Sequence, residues 1–451
     1  MSTSPSKCPH HNLQTQPSQH AEHVNYLRPT AARRLAATTK SGRVAAANKL
    51  QAATGFQRAI PTAEAELASS FPAPLVLPGD DLACDPKCPP QSFRWLHEKE
   101  RNKPTSARKT LYVAAVPEIT PKMRHMKGWS NPRVNHDAGT DKASVADVAD
   151  FIDYLRAFYH GFDVQPFAQK LQYTAWSDKP TPHIGLNWSD VTVRIRARKS
   201  PDGIFVGQLN LEDILDAAIE MLPDDTFATV LLVDHDLYEN DEDDFCCGRA
   251  YGGSRVAVVS KARYRPVLDA HTGIDHEHVW PASHCKDYVD SLSAEESIES
   301  EKQDEAVRVP AASPLRQAVD AMSTHLTKQN TMEDNRGILF SRLARTVSHE
   351  LGHCLGLDHC VYYACIMQGT AGMAEDLRQP PYLCPVCLSK LTHAALIELQ
   401  GGSESASIAY VKERYNALLR VCEKRPDSSM FAAYGAWLRA RLDDLSKNTD
   451  P

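Results

Sequence analysis

Hydrophobic and polar positions repeat with two different periods along the central part of this chain. Residues 111–117 and 228–233 are short, continuously apolar runs, which are typical of buried strands. Residues 191–197 alternate apolar with basic side chains, as a strand with one exposed face does. Residues 145–159 and 209–222 repeat apolar positions at helical spacing instead. Because strands and helices alternate, the pattern predicts an α/β (α+β) fold built on a sheet.

The last third of the chain shows helical periodicity. One helix ending near residue 354 carries a single apolar stripe, formed by Leu339, Leu343, Val347, Leu351 and Cys354. Further helical patterns cover residues 388–400, 407–422 and 430–445. Gly401-Gly402 and Pro426-Asp427 separate them. Residues 401–451 are therefore predicted to be C-terminal helices packed on the preceding domain, with partner contacts as an alternative role.

Two segments before residue 108 lack regular periodicity. Residues 1–70 are rich in Ser, Gln, Thr and Ala. Before residue 60 they contain several basic residues but a single acidic one, Glu22. We expect a mostly disordered basic tail with an Ala-rich helix at about residues 30–53. Residues 71–107 contain repeated prolines, which exclude regular structure. We expect them to run extended along the domain surface as a lead-in segment.

Composition places limits on location and partners. At 451 residues and 42% hydrophobic content, the chain can bury a sizeable core. It contains no run of eighteen apolar residues and no secretory signal sequence, so we expect the cytoplasm or nucleus and no membrane contact. The acid-poor start resembles a mitochondrial transit peptide, but its Pro and His residues disfavour an amphipathic presequence. Nothing indicates a nucleic-acid partner, and the oligomeric state stays open.

The array HExxHxxGxxH at residues 349–359 carries the chemistry. His349 and His353 are four residues apart, so on a helix both imidazoles reach one zinc ion from the same face. Gly356 can adopt a left-handed conformation that ends the helix and brings His359 back as the third ligand. Glu350 would then face the open coordination position and deprotonate a water molecule polarised by the cation. This arrangement predicts amide hydrolysis.

Four cysteines follow this array at metal-binding spacing: Cys360, Cys365, Cys384 and Cys387. A spaced pair followed by a CxxC knuckle predicts a closed tetrahedral zinc site that holds a loop. Buried unconnected thiols or disulfides are the alternative, although twelve scattered cysteines fit a reducing compartment better. We therefore expect two zinc ions per chain, one catalytic and one structural.

With these residues and Met367, the chain resembles the archaemetzincins, a branch of the metzincin metallopeptidases. The resemblance covers about residues 108–400 and implies a metzincin-like zincin catalytic domain with a mixed twisted sheet and an active-site helix. It also implies that Met367 is the Met-turn methionine below the zinc ligands. Peptidase or aminopeptidase-like activity on small or unfolded peptides follows from the same resemblance, as does weak activity in some members.

The resemblance also assigns the surroundings of the cleft. Residues 255–260 would be the edge strand beside it, on which an extended peptide pairs through backbone hydrogen bonds. Residues 280–336 form an unusually long insertion, for which either a disordered loop or a cover over the active site is expected.

Other groups of potential ligands have no regular spacing. Cys8, His10 and His11 in the tail are interpreted as incidental, and the alternatives are occlusion of the zinc by a thiolate or binding of a stray metal ion. Cys84 and Cys88 form an isolated pair. A further cluster consists of His271, His276, His278, His284 and Cys285. We interpret it as part of a polar loop, and a metal site is the alternative.

The sequence therefore predicts a zinc metallopeptidase that acts on peptide or protein substrates. The first alternative is a zinc-stabilised binding protein with a vestigial or covered site, against which the retained Glu350 argues. The second is a different HExxH hydrolase with a carboxylate as third ligand, for which Glu375 is the nearby candidate.

Overall fold

The computed structural model describes residues 8, 10–43, 56, 60–61, 64–134, 147–179, 181–294, 309–328 and 335–447. These residues form a mixed α/β fold with a helical C-terminal region. The strands are β1 Thr110–Ala114, β2 Glu118–Ile119, β3 Asp163–Pro166, β4 Gln172–Ala175, β5 His183–Trp188, β6 Val191–Arg198, β7 Gln208–Asn210, β8 Thr226–Val233, β9 Asp236–Tyr238, β10 Gly248–Tyr251 and β11 Val256–Ser260.

The α-helices are α1 Gln19–His23, α2 Ala31–Ala36, α3 Glu64–Ser70, α4 Asp81–Cys84, α5 Val148–Phe158, α6 Leu211–Glu220, α7 Lys286–Ala294, α8 Pro314–Lys328, α9 Asn335–Cys354, α10 Met373–Arg378, α11 Pro385–Thr392, α12 Ser407–Glu423 and α13 Ser429–Lys447. A π-helical stretch, His393–Leu399, continues α11. Short 3₁₀ helices lie at Phe93–His97, Pro121–Gly128, Gly252–Ser254, Pro266–Leu268, His276–His278, Ala282–His284 and Glu404–Ala406.

The predicted central elements are all present, and three of them are shorter than their patterns. The helix predicted at 145–159 begins only after Asp147, whose side chain accepts a hydrogen bond from the Ala149 amide and so caps α5. Asn210 caps α6 in the same way through the Asp213 amide. The strand predicted at 111–117 ends at Ala114, because Pro117 has no amide hydrogen to pair with a neighbour.

The first sheet has the order β10-β11-β8-β1-β3, and all its neighbours are parallel except β10 and β11. Every residue of its central strand β8 is buried, which is typical of a sheet covered on both faces. Val230 and Leu232 face the larger core, which contains α5, α9 and the C-terminal helices. Leu231 and Val233 face a second core beneath α6 and the second sheet. The continuous apolar pattern of β8 thus reflects two cores.

The second sheet has the order β2-β4-β5-β6-β7-β9. Its β4, β5, β6 and β7 are successively antiparallel, whereas β2 and β9 at its two ends pair in parallel with their neighbours. The exposure of β6 alternates partly, as the apolar and basic pattern at 191–197 predicts.

The edge strand of the first sheet is not the predicted one. Residues 255–260 were expected at the edge, but β11 lies between β10 and β8. Gly252–Ser254 and Arg255, whose φ is +68°, reverse the chain so that β10 pairs antiparallel with β11 and becomes the edge. The four residues of β10 include a glycine and a charged residue, so no strand pattern marks them in the sequence.

Helix α9 carries the predicted apolar stripe, and all five stripe residues are buried in the larger core. Gly356 has φ +83° and ends the helical path, as predicted. The Gly356 amide donates to the His353 carbonyl at 2.8 Å, and the Leu357 amide donates to the Gly352 carbonyl at 3.0 Å. These bonds turn the chain back beneath the end of α9.

The N-terminal segment differs from the expected disordered tail. Residues 10–43 contain α1 and α2, and the helix predicted at about 30–53 is present as Ala31–Ala36, while 44–53 lie outside the described residues. The Tyr26 hydroxyl donates to the Val361 carbonyl at 2.6 Å, and Arg28 Nε donates to the Tyr362 carbonyl at 3.1 Å. These long-range contacts, which no local pattern reveals, order the segment.

The Pro-rich lead-in is also more buried than expected. Its first seven residues have no regular secondary structure, as predicted, but Asp81–Cys84 and Phe93–His97 are short helices, contrary to the prediction. Phe71, Val76 and Leu77 are buried. Phe71 packs edge-on against the rings of Tyr382 and Trp437. This part of residues 71–107 therefore runs through the interior, because its apolar side chains fill space between the helical region and the loop after α9.

The described part of the 280–336 insertion is helical. Helix α8 packs along α13 and contacts α3, and Leu315 and Val319 form a small core with Leu13. The insertion thus packs against the helical side of the molecule. The C-terminal patterns correspond to α11 with its π-helical extension, to α12 and to α13. No helix of the described residues is long and apolar enough to cross a membrane.

Candidate active site and metal centres

Three histidines converge where α9 ends. His349 and His353 project from its last turns, and the reversal after Gly356 brings His359 beside them. The ring centroids of His359 lie 5.4 Å from His349 and 5.1 Å from His353. One donor atom from each residue lies within 4.8 Å of the others. The sequence array is therefore one compact group in space.

Two hydrogen bonds fix the imidazoles of the helical histidines. Nδ1 of His349 lies 2.7 Å from the Ile366 carbonyl oxygen, and Nδ1 of His353 lies 2.6 Å from the Leu357 carbonyl oxygen. A carbonyl oxygen only accepts, so each Nδ1 carries the proton and each Nε2 presents a lone pair. Burial lowers the pKa of His353 to about 4 and that of His349 well below its usual range, which keeps both rings neutral.

The two Nε2 atoms lie only 2.9 Å apart. Two lone pairs at this distance repel each other unless a cation lies between them. Nitrogen ligands of one tetrahedral zinc ion stand about 3.3 Å apart, since Zn–N bonds are about 2.0–2.1 Å long. The donor set and its orientation thus fit zinc.

Glu350 is buried next to these rings. It lines two adjoining cavities, of about 600 Å³ and about 210 Å³, and His349 lines both as well. Burial raises the pKa of Glu350 to about 8, and the positive charge of Arg249 opposes this rise. A cation held by the histidines would favour the carboxylate further. The site therefore has a buried carboxyl group whose ionisation depends on nearby positive charge.

Arg249 is a residue of this site that the sequence interpretation missed. It lies on the edge strand β10, lines the 600 Å³ cavity with all three histidines and forms an ion pair with Glu239. The signal available in the sequence was its position between Gly248 and Gly252, in the segment before the predicted edge strand. A strand of four residues was too short to assign this position to the cleft.

The four predicted cysteines meet directly behind the histidines. Their sulfur atoms lie within 4.8 Å of one another, and all four residues are buried. Sγ of Cys360 and Sγ of Cys384 are 3.5 Å apart, and Cys365 Sγ accepts a hydrogen bond from the Cys384 amide at 3.2 Å. Such a closed all-thiol group fits a structural zinc ion.

Burial and mutual hydrogen bonds shift the pKa values of these thiols in opposite directions. Hydrogen bonds from the three other thiols hold the pKa of Cys360 well below its usual range. Burial raises the pKa of Cys365 and of Cys384 well above theirs. A divalent cation would supply the charge that makes all four thiolates favourable in this interior.

Known proteins share this chain's sequence pattern. Residues 316–393 match the family model described as peptidase family M54. Archaemetzincin-2 of Macaca fascicularis is 24% identical over 355 residues, and that of Homo sapiens is 25% identical over 355 residues. Each alignment covers 78% of this chain and 75% of the relative. The chain is thus similar to archaemetzincins over most of its length. It is a zinc metallopeptidase, and peptides or proteins are its substrates.

Among solved structures, the archaemetzincin of Methanopyrus kandleri aligns with 64% of this chain and 97% of its own length. The sequence identity is 15%, and the TM-score is 0.32.

Met367 packs beneath α9. Its side chain is fully buried, and a Cβ atom at Gly352 would stand 2.5 Å from its sulfur and 2.9 Å from its methyl carbon. Gly352 lies between His349 and His353, so the close approach of Met367 needs a residue without a side chain there. The Met367 carbonyl also accepts from the Cys360 amide at 2.7 Å, which joins the methionine to the cysteine group.

The remaining candidates lie elsewhere. Glu375, the alternative third ligand, accepts hydrogen bonds from the amides of Ala371 and Asp81 and is not in the histidine group. Cys8 lies beside His10 and His278 and not at the histidine site, which contradicts the occlusion alternative. Within the described residues, the groups with metal-binding geometry include neither the Cys84 and Cys88 pair nor His271, His276, His284 or Cys285.

We predict that Gly352→Ala destabilises the protein despite the higher helix propensity of alanine. Met367 is enclosed on all sides, so the new methyl group should lower the free energy of unfolding by about 1–3 kcal/mol. It should also reduce peptide hydrolysis, because it displaces the helix between two histidines. Denaturant unfolding and initial rates measure the two effects. Gly128→Ala is the control, since no heavy atom lies within 4 Å of that position. Unchanged stability and rate in Gly352→Ala would contradict the close packing.

Proposed function

We propose that this protein hydrolyses peptide bonds at a zinc ion held by His349, His353 and His359, with Glu350 as general base. The observation that carries the proposal is the pair of Nε2 lone pairs aimed at one point, 2.9 Å apart, beside a buried carboxylate. A purely structural site has no use for that carboxylate. When bound, zinc supplies Lewis acidity that lowers the pKa of water and stabilises an oxyanion.

The chain's own residues supply the proton transfers and the binding of substrate. Glu350 accepts the proton of the attacking water and returns it to the nitrogen of the leaving amine. The Nδ1 hydrogen bonds of His349 and His353 keep their rings in place during this cycle. The edge strand β10 borders the same cavity, so its free backbone groups can pair with an extended peptide whatever its sequence.

Aminopeptidase action is the form of cleavage that the charges of the cavity favour. Glu98 and Asp358 line the 600 Å³ cavity with the histidines. Burial and the repulsion of Asp358 together raise the pKa of Glu98. A neighbouring positive charge would therefore stabilise the two carboxylates. The α-ammonium group of a peptide supplies such a charge close to the first peptide bond.

We propose a structural role for the second group. Cys360, Cys365, Cys384 and Cys387 would hold a zinc ion that fixes the loop carrying Ile366 and Met367. The Ile366 carbonyl orients His349, and Met367 supports α9, so this ion acts on catalysis through the position of the ligands. The alternative of a covered, inactive site has no support in the described part of the insertion, which lines neither cavity at Glu350.

Replacing Glu350 by Gln should abolish most hydrolysis while zinc stays bound. Loss of a general base costs about 10²–10⁴-fold in rate, and the amide cannot accept the proton of water. Initial rates on a library of unblocked and N-acetylated peptides measure the effect, with metal content measured on the same samples. Glu220→Gln, on the exposed face of α6, is the matched control.

A Glu350→Gln variant that hydrolyses peptides at the wild-type rate would exclude Glu350 as the base. Wild-type protein that binds zinc but cleaves no peptide of the library would favour the binding-protein function instead. Equal rates on unblocked and acetylated peptides would exclude aminopeptidase action without affecting the assignment of the base.

Replacing Cys387 by Ser should remove one zinc ion per chain and lower activity indirectly. The three remaining thiols cannot close the tetrahedral site, and the loop that orients His349 would loosen. Metal analysis and peptide hydrolysis measure both effects, with Cys84→Ser, an exposed thiol, as the control. A Cys387→Ser variant with the wild-type zinc content would contradict the structural site.

Removing the charge of Arg249 should shift the pH dependence of catalysis. The base works only as a carboxylate, so kcat/KM falls as the pH drops through the pKa of Glu350. The charge of Arg249 lowers this pKa, so Arg249→Leu should move the acidic limb of the profile to higher pH, by roughly one pH unit or less. Arg249→Lys keeps the charge and should leave the limb near its wild-type position. An identical limb in all three proteins would exclude this electrostatic coupling.

A further inference from the structure

A third group of metal-binding side chains lies outside the peptidase site and the four-cysteine group. Donor atoms of Cys8, His10 and His278 all lie within 4.8 Å of one another. The rings of His10 and His278 are 5.3 Å apart, which is within the range of 4.7–5.4 Å found among the three active-site histidines. We propose that these three residues bind a further zinc ion, which anchors the N-terminal segment.

The histidine nitrogens of this group have unused lone pairs. His10 is 8% exposed, and its Nε2 is buried without a hydrogen-bond partner. Nε2 of His278 is likewise buried and unpaired, while its Nδ1 lies 2.6 Å from the carboxylate of Asp275. Histidine ligands of zinc commonly donate their second nitrogen to a carboxylate in this way. Unpaired buried nitrogens cost free energy, and a shared cation removes that cost.

Cys285 is placed to complete a set of four ligands, although the group within 4.8 Å does not include its sulfur. Its sulfur lies 3.4 Å from the sulfur of Cys8, from which it is separated by 277 positions in the sequence. Thiolates of one tetrahedral zinc ion stand about 3.8 Å apart, given Zn–S bonds of about 2.3 Å. Sulfurs in a disulfide are about 2.05 Å apart. Two thiols and two imidazoles select zinc over the oxygen-binding cations Mg²⁺ and Ca²⁺.

The position of this group gives the ion a structural role. Around it, the N-terminal segment pairs with the residues at the start of α7: the Gln14 amide donates to the His284 carbonyl at 2.6 Å, and the Lys286 amide donates to the Asn12 carbonyl at 3.0 Å. The ion would therefore fasten the start of the segment whose later residues contact the cysteine loop. Cys8 and His10 also line a cavity of about 570 Å³, through which an ion can enter.

Metal content of the full-length protein tests this site. Protein prepared with zinc and a phosphine reductant is dialysed, and zinc per chain is measured for wild type, Cys8→Ser and His278→Ala. Each variant should contain one zinc ion fewer than wild type. Cys84→Ser and His271→Ala remove exposed residues of the same types and should retain the wild-type content. Wild-type zinc content in Cys8→Ser and His278→Ala would overturn the proposal.

Thiol labelling of the wild-type protein gives a second measurement that needs no variant. With the reductant present, Cys8 and Cys285 should resist alkylation until a chelator removes zinc, as followed by peptide mass spectrometry. Labelling at the same rate with and without the chelator would overturn the proposal. Protection that the reductant alone abolishes would show a disulfide and would also overturn it. Neither measurement uses peptide hydrolysis, so the result for this metal site is independent of the result for Glu350→Gln.

Discussion

The site depends on two hydrogen bonds between imidazole nitrogens and backbone carbonyls beyond the end of α9. They determine which nitrogen of His349 and of His353 has a lone pair available for a metal ion. They also connect each ring to a backbone carbonyl in the segment that follows the helix. Both bonds require the reversal at Gly356, because a continuing helix would carry the Leu357 and Ile366 carbonyls away. The end of one helix therefore decides the tautomers, the approach of His359 and the path of the loop beneath.

The loop that supplies the second carbonyl is held from several sides. The Cys360 amide bonds to the Met367 carbonyl, and the Cys384 amide bonds to the Cys365 sulfur. Met367 fills the space below Gly352, and the N-terminal segment reaches the carbonyls of Val361 and Tyr362 from outside. The histidines are thus positioned by packing and hydrogen bonding that extend well beyond the zinc-binding motif.

The features that the sequence predicts correctly are those that depend on residues close together in the chain. The stripe on α9, the stop at Gly356 and the two groups of ligands follow from periodicity and spacing within about 40 residues. Sequence periodicity does not predict the edge strand β10 or the position of Arg249 on it, because a four-residue strand has too few positions to show a period. The grouping of Cys8, His10 and His278 and the order of residues 10–43 escape it too, since they rest on contacts between distant parts of the chain. Features that a short strand carries or that distant segments form together are therefore the ones that the sequence does not predict.

The contacts of Tyr26 and Arg28 show that the N-terminal segment packs on the region that matches the family model. The part that matches the family model begins at residue 316, but two carbonyls inside it take their donors from residues 26 and 28. If the chain began after residue 43, these carbonyls, which lie within three residues of the Cys360 thiol, would lose both partners. The N-terminal segment therefore takes a direct part in the packing of the loop that carries Cys360.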